Sequence, residues 1–257
     1  YLSLLLKASV TVCHAIAVEG RPVVVHCSDG WDRTPQITAL SQIMLDPYYR
    51  TLEGFQVLVE REWLEFGHKF ADRCGSSHPG SSERCPVFLQ WLDAVHQLLH
   101  QFPQAFQFNQ AYLLKLSQHI YSNLFGSFLH NTSRERVKSK LFQNTYPVWS
   151  IFNVDTYKYI NYFYSPTSTV LHPSCHSKDL KLWDSVYKCP TVIPADEINL
   201  KGVNSLSSQN LLIDHNLDDM APGDLVKTRS CDDLTQQIQP SLVPFSSLLK
   251  LFQTLLI

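Results

Sequence analysis

Apolar positions along this chain recur mostly at helical intervals, broken once by a short continuous run. Residues 3–18 are rich in Leu, Val and Ala, yet Lys7, Cys13, His14 and Glu19 interrupt them. The segment reads as a core helix, not a signal peptide or membrane span. Arg21-Pro22 then leads into Val23-Val24-Val25, which predicts a buried strand over 22–27. Gln36–Leu45 returns to helical spacing through Ile37, Leu40, Met44 and Leu45, with Pro35 suited to the first helical position and Thr34 to the N-cap. Glu53–Arg73 carries Phe55, Leu58, Val59, Trp63, Phe66 and Phe70 at helical intervals. A polar stretch over 75–82 reads as a surface loop. Pro86 opens a further helix with Phe88, Leu89, Leu92, Val95 and Leu99, closed by Pro103, and another spans Asn109–Phe125.

Downstream the pattern degrades. Residues 146–188 hold Trp149, Phe152, Tyr157, Tyr159, Tyr162, Phe163 and Trp183 without clear period, which suggests short helices packed on the body. After Cys189-Pro190 the composition turns polar, and disorder is expected over 189–257. The last stretch, 244–257, is apolar again, and an amphipathic helix and an alternatively processed terminus read equally well.

Bulk numbers narrow the class. With 257 residues and 44% hydrophobic content, the chain can bury a real core. A net charge of −2 gives no case for nucleic acid, so any phosphate-binding charge must be local. Seven cysteines at irregular spacing, an odd number, fit a reducing compartment better than a disulfide framework. Cys74, His78 and Cys85 match no standard zinc spacing, so no metal and no cofactor are expected.

The chemistry concentrates in residues 26–34, H-C-S-D-G-W-D-R-T. Five residues separate Cys27 from Arg33, on a loop expected to run from strand to helix. A phosphate there would meet backbone N–H groups and the positive end of a helix dipole. The same field stabilises a thiolate, making Cys27 a candidate nucleophile. Arg33 offers a planar fork to two phosphoryl oxygens, and amides from Ser28 to Arg33 can hold the rest. Gly30 allows the backbone to curl. C-x5-R alone is weak evidence in a chain with seven cysteines, and a buried inert cysteine is the competing reading; the flanking strand, glycine and helix supply the specificity. Asp29 and Asp32 face a like-charge problem. Either one is protonated and acts as general acid, or both point outward and the acid lies elsewhere. Trp31 reads as a pocket wall or a packing anchor, and His26 as a brace for the loop. Ser28 and Thr34 carry hydroxyls able to bond loop amides or the thiolate. Lys69 and Arg73, four apart, would share a helix face and could meet a second phosphate or simply form a solvated basic edge.

The string VHCSDGWDRTPQ resembles the signature loop of the myotubularin family of 3-phosphoinositide phosphatases. The resemblance continues through DPYYRTLEGFQVLVEREWLEFGHKF, PVFLQWLDAVHQL, FNQAYLLKLSQHIYSNLFGSFL and VLHPSCHSKDLKLW. Within the family it is most similar to the subgroup of myotubularin-related proteins 3 and 4, including the tail string KTRSCDDL, whose Ser230 also resembles a basophilic kinase site. The resemblance implies an α/β (α+β) cysteine-phosphatase-like domain, here mainly its helical C-terminal half with the strand and phosphate loop. Residues 1–188 would be that part of the domain and 189–257 a tail. The remaining strands, an upstream active-site loop and a PH-GRAM domain would precede Tyr1, and a zinc-finger domain would follow.

It implies hydrolysis of the D3 phosphate of phosphatidylinositol 3-phosphate and of the 3,5-bisphosphate through a phosphocysteine on Cys27. Arg33 would grip the phosphoryl group, and Asp32 becomes the better candidate acid. Ser28, Asp29, Gly30 and Trp31 would form the pocket, and Lys69 and Arg73 would contact other headgroup phosphates. Many family members carry Arg where this chain has Lys69. The implied setting is cytoplasmic and peripheral, on endosomal or other internal membranes. The implied partners are phosphoinositides and other myotubularins in homo- or hetero-oligomers. A catalytically inert scaffold and a protein tyrosine or dual-specificity phosphatase remain the competing functions. Cys27 and Arg33 argue against the first, and the S-D-G-W-D interior against the second.

Overall fold

A computed structural model describes residues 1–76 and 82–188. Expectations for His78, for the rest of the 77–81 stretch, and for 189–257, Ser230 and the apolar terminus included, lie outside the described residues. Ten α-helices organise the described part: α1 (Leu2–Ala17), α2 (Arg33–Leu45), α3 (Leu52–Val59), α4 (Phe70–Cys74), α5 (Val87–Gln101), α6 (Gln110–Ile120), α7 (Ser133–Lys138), α8 (Leu141–Asn144), α9 (Ser150–Val154) and α10 (Asp184–Tyr187).

Helix α5 is the axis. It is buried on nearly every side, from Val87 to Leu98, because α1, α2 and α6 all pack against it. Gln36 of α2 locks the pair, donating through Nε2 to the Val87 carbonyl (2.8 Å) and to Gln90 Oε1 (2.9 Å). Helix α1 lies along α2 through Leu5, Leu6, Ser9 and Cys13, and the Cys13 thiol points at the Ser41 carbonyl (3.5 Å). The core around α5 is aromatic. Phe55 stacks on Trp91 with centroids 5.5 Å apart, Trp63 meets Phe88 edge-on at 4.8 Å, and Tyr112 meets Phe152 at 4.2 Å. Arg50, fully buried, donates to the carbonyls of Ile43 and Met44 (both 2.8 Å), closing α2, and to those of Thr167 and Thr169.

Several sequence expectations need correction. The strand over 22–27 does not form. The segment is irregular, Val24 is 89% exposed and Val23 37%, and among the described residues no strand exists beyond one antiparallel bridge between Phe108 and Ile160. An apolar triplet encodes a strand only if a neighbour satisfies its backbone N–H and C=O groups, and none does so among the described residues. The described part is therefore helical, not α/β. Second, α2 begins at Arg33 with Asp32 as N-cap, not at Pro35 with Thr34. Pro35 still falls in the first turn, where its missing N–H costs nothing.

Third, the helix expected over 53–73 breaks. After α3 the chain widens into a π-helical segment over Glu60–Glu65, Gly67 adopts φ +83°, and α4 starts only at Phe70. A left-handed glycine ends a helix without the steric cost a side chain would carry. Likewise α6 stops at Ile120 rather than Phe125, ahead of Asn123 at φ +54°. The aromatic-rich 146–188 segment does form short helices and turns that bury Trp149, Phe152, Tyr159 and Trp183, while Tyr162 and Phe163 stay about three-quarters exposed (77% and 78%).

Candidate active site

The 27–33 loop stands between the irregular valine segment and α2, and its curl centres on the sulfur of Cys27. Gly30, at φ +84°, turns its N–H toward Cys27 Sγ (3.2 Å). Thr34, in the first turn of α2, donates its hydroxyl to the same sulfur (3.3 Å). Burial alone would push the thiol pKa up. The Thr34 hydroxyl and the amides of Gly30, Thr34 and Asp29 outweigh it and pull the pKa from 9.0 to about 6. Cys13 and Cys74 provide the contrast: burial raises their pKa to about 11 and about 12, because few or no donors face them. Only one of these thiols is built to ionise.

Arg33 folds back over the loop and donates through Nη2 to Ser28 Oγ (3.0 Å), whose hydroxyl in turn donates to Asp29 Oδ2 (3.1 Å). Ser28, Asp29, Gly30 and Arg33 are exposed, so a ligand above the loop reaches them directly. His26 is also exposed, with Nδ1 3.4 Å from the Cys27 carbonyl.

The break after α3 re-aims residues 68–73 at this loop. Trp31 is bracketed by two cations, Lys69 Nζ at 4.6 Å and the Arg73 guanidinium at 4.7 Å from its ring centroid. Lys69 is the residue preceding α4 rather than part of the same helix as Arg73, a correction to the shared-face expectation, yet both reach the same ring. Arg73 grips Asp32 through Nη2 (2.8 Å) and Nε (3.2 Å), and donates through Nη1 to the carbonyl and carboxylate of Glu83 (2.6 and 2.8 Å). Asp32 therefore points sideways into an ion pair and not outward. Burial opposes its charge, but hydrogen bonds from His68 and Arg73 prevail and hold its carboxyl below the usual range. At neutral pH it is therefore a carboxylate.

Two partners escaped the sequence reading. His68 Nδ1 lies 2.9 Å from both the Trp31 carbonyl and Asp32 Oδ1. Glu83 sits across a loop from Arg73. Neither carries a sequence signal, because each acts through a partner brought close only by folding. No group of three or more metal-ligating side chains exists among the described residues, and no described helix is long and apolar enough to cross a membrane.

A thiol lowered to about 6 by a curl of amides and a hydroxyl, with Arg33 folded back onto the same loop, is the chemistry of a cysteine phosphatase loop. Residues 1–137 match the myotubularin-like phosphatase domain family. The chain belongs to the myotubularin family. It is 51% identical over 240 residues to phosphatidylinositol-3,5-bisphosphate 3-phosphatase MTMR4 of Homo sapiens, covering 91% of this chain and 20% of the relative. Phosphatidylinositol-3,5-bisphosphate 3-phosphatase MTMR6 of Rattus norvegicus is 39% identical over 257 residues, covering 97% and 38%. Myotubularin of Xenopus tropicalis is 43% identical over 190 residues, covering 73% and 32%. This myotubularin chain thus spans about a fifth to two fifths of the length of these relatives.

Proposed function

We propose that the chain carries the catalytic loop of a phosphoinositide 3-phosphatase acting on phosphatidylinositol 3-phosphate and on the 3,5-bisphosphate. The observation that supports it most is the Cys27 sulfur, held by Gly30 N–H and the Thr34 hydroxyl and ionised at neutral pH. In the proposed reaction the thiolate attacks phosphorus in line, a P–S bond forms, and the P–O bond to the inositol 3-oxygen breaks. Arg33 leaves Ser28 for two equatorial oxygens while loop amides hold the third, where transition-state charge is spread. A proton must reach the departing inositol oxygen, and Asp32 is the proposed donor. His68 and Arg73 hold its carboxylate ionised at neutral pH, so Asp32 takes a proton from solvent as the substrate binds, because the incoming phosphate dianion raises the pKa of a neighbouring acid. Water then attacks phosphorus and releases inorganic phosphate and the thiolate.

Ser28, Asp29, Gly30 and Trp31 line the proposed pocket, and Lys69 with Arg73 supplies positive charge for a further headgroup phosphate. Lys69 Nζ has no carboxylate partner among the described residues and can serve at once, whereas Arg73 must give up part of its hold on Asp32 and Glu83. The names of the MTMR4 and MTMR6 relatives support the substrate. The same reading makes 1–188 the C-terminal part of a phosphatase domain, in which the exposed valine segment over 22–27 becomes a strand on gaining a hydrogen-bonding neighbour. The proposed location is cytoplasmic and peripheral, on endosomal or other internal membranes, a reading supported by the lipid substrate proposed above and by the family resemblance. Homo- or hetero-oligomers with other myotubularins are proposed on the family resemblance.

Phosphate release from short-chain phosphatidylinositol 3-phosphate by the full-length protein, abolished by Cys27→Ser, tests the assignment. Faster turnover of a phosphotyrosine peptide than of the lipid would sink it.

A further inference from the structure

His68 has no part in the reaction above, yet it is an almost fully buried polar side chain in contact with the loop. It is 1% exposed and its ring meets Trp63 (5.0 Å, 89°) and Phe70 (4.7 Å, 88°) edge to face. Both atoms within 2.9 Å of Nδ1, the Trp31 carbonyl oxygen and Asp32 Oδ1, are acceptors, so Nδ1 carries the hydrogen and shares it between them. Nε2 is buried without a hydrogen-bond partner among the described residues, so the ring's polar contacts to the loop all pass through Nδ1.

Asp32 consequently has two anchors of different character. Arg73 is divided among Asp32, the Glu83 side chain (64% exposed) and the Trp31 ring. A phosphate set beside Trp31 and Lys69 would compete for that guanidinium, whose fork fits phosphate as well as carboxylate. His68 cannot follow, because aromatic packing fixes its ring.

We propose that His68 is a positioning residue that keeps the Asp32 carboxylate and the Trp31 carbonyl in place when a second headgroup phosphate draws Arg73 away. The inference rests on the phosphoinositide reading. It makes His68 matter more for a bisphosphorylated headgroup than for a monophosphorylated one. With one phosphate Arg73 stays on Asp32 and the site keeps both anchors; with two, the histidine is the anchor that remains. Loss of Arg73 from Asp32 also removes a cation that stabilises the carboxylate, so the bisphosphate itself favours the protonated acid.

The test compares kcat and KM of the full-length protein on short-chain phosphatidylinositol 3-phosphate and 3,5-bisphosphate. His68→Phe keeps an aromatic ring against Trp63 and Phe70 but removes the donor. Its kcat on the bisphosphate is expected to fall at least about 30-fold, while kcat on the monophosphate and both KM values move less than about 3-fold. His68→Asn, whose amide N–H stands near the Nδ1 position, is expected to retain most of the bisphosphate rate. Equal loss on the two lipids, or no loss, overturns the inference while leaving the phosphatase reading intact. A wild-type protein that cleaves neither lipid overturns that reading and this one together. If His68→Phe does not fold, His68→Asn against His68→Gln makes the same comparison, with Gln, whose amide is displaced by one methylene, expected to lose the bisphosphate rate selectively and equal behaviour of the two counting against the proposal.

Discussion

Two neighbouring regions of this molecule are built on opposite principles. Around α5, Phe55, Trp63, Phe88 and Trp91 are packed ring against ring and shut away from water. A few residues away, the 27–33 loop is mostly exposed, with polar contacts that point at one sulfur. The core holds its shape because apolar area is removed from water and many weak contacts add up. The loop holds its shape through a handful of hydrogen bonds whose purpose is electrostatic. His68 joins them, its ring face in the core and its Nδ1 on the loop. The lesson is that rigidity at the loop is borrowed from the core, so stability and chemistry should respond to different substitutions.

The sharpest break in that comparison is Cys27→Ser. Turnover is expected to vanish while the thermal midpoint moves little, since Cys27 is half-buried and serine keeps an acceptor for the Gly30 and Thr34 donors, a change of about 1 kcal/mol at most. The mirror image is Trp63→Ala, which removes a fully buried indole and should cost about 3–5 kcal/mol of stability by denaturant unfolding. Arg33→Ala is expected to lower kcat by roughly 10²–10³-fold with an unchanged fold, as for loss of one transition-state donor.

A titration sharpens the contrast further. Alkylation of Cys27 should rise with pH through a midpoint near 6 and then level off, because the thiolate exists above its pKa. Thr34→Val, which deletes the hydroxyl donor at 3.3 Å, should move that midpoint up toward 9.0.

In the core the pH effect has a different origin. Burial pushes His96, stacked on Trp183 at 4.8 Å, down to about 4, with His100 adding repulsion. An unfolded histidine takes a proton near pH 6.5, so between 6.5 and 4 the unfolded chain binds a proton that the folded one refuses. Stability is complete above that window and falls on acidification, by about 2 kcal/mol at pH 5 for this residue. His96→Phe should flatten that slope. The smallest expected effect is Thr132→Ala, which breaks the reciprocal cap between Thr132 and Glu135 at α7 and should cost about 1 kcal/mol.

The sequence was most readable where structure is local. Helical spacing located α1, α2, α5 and α6, since a 3.6-residue repeat needs only that one face be buried. The catalytic candidates Cys27 and Arg33 were legible because a loop motif carries its chemistry in consecutive residues. Val23–Val25 misled, because β-branched composition cannot say whether a hydrogen-bonding partner is present. Trp63, Phe66 and Phe70 misled in the other direction. Their spacing continued a helix that Gly67 ends, and the continuation concealed how Lys69 and Arg73 arrive at Trp31.

What residue order determined alone was the candidate nucleophile, the guanidinium proposed to serve it and the helical faces that bury the core. Only folding decided which charges meet. Asp32 became an ionised carboxylate because Arg73 and His68, 41 and 36 positions further along the chain, were carried to it by a glycine-broken helix. Periodicity records how a segment buries itself, but electrostatic energy depends on distance in space, and that distance is set by tertiary packing.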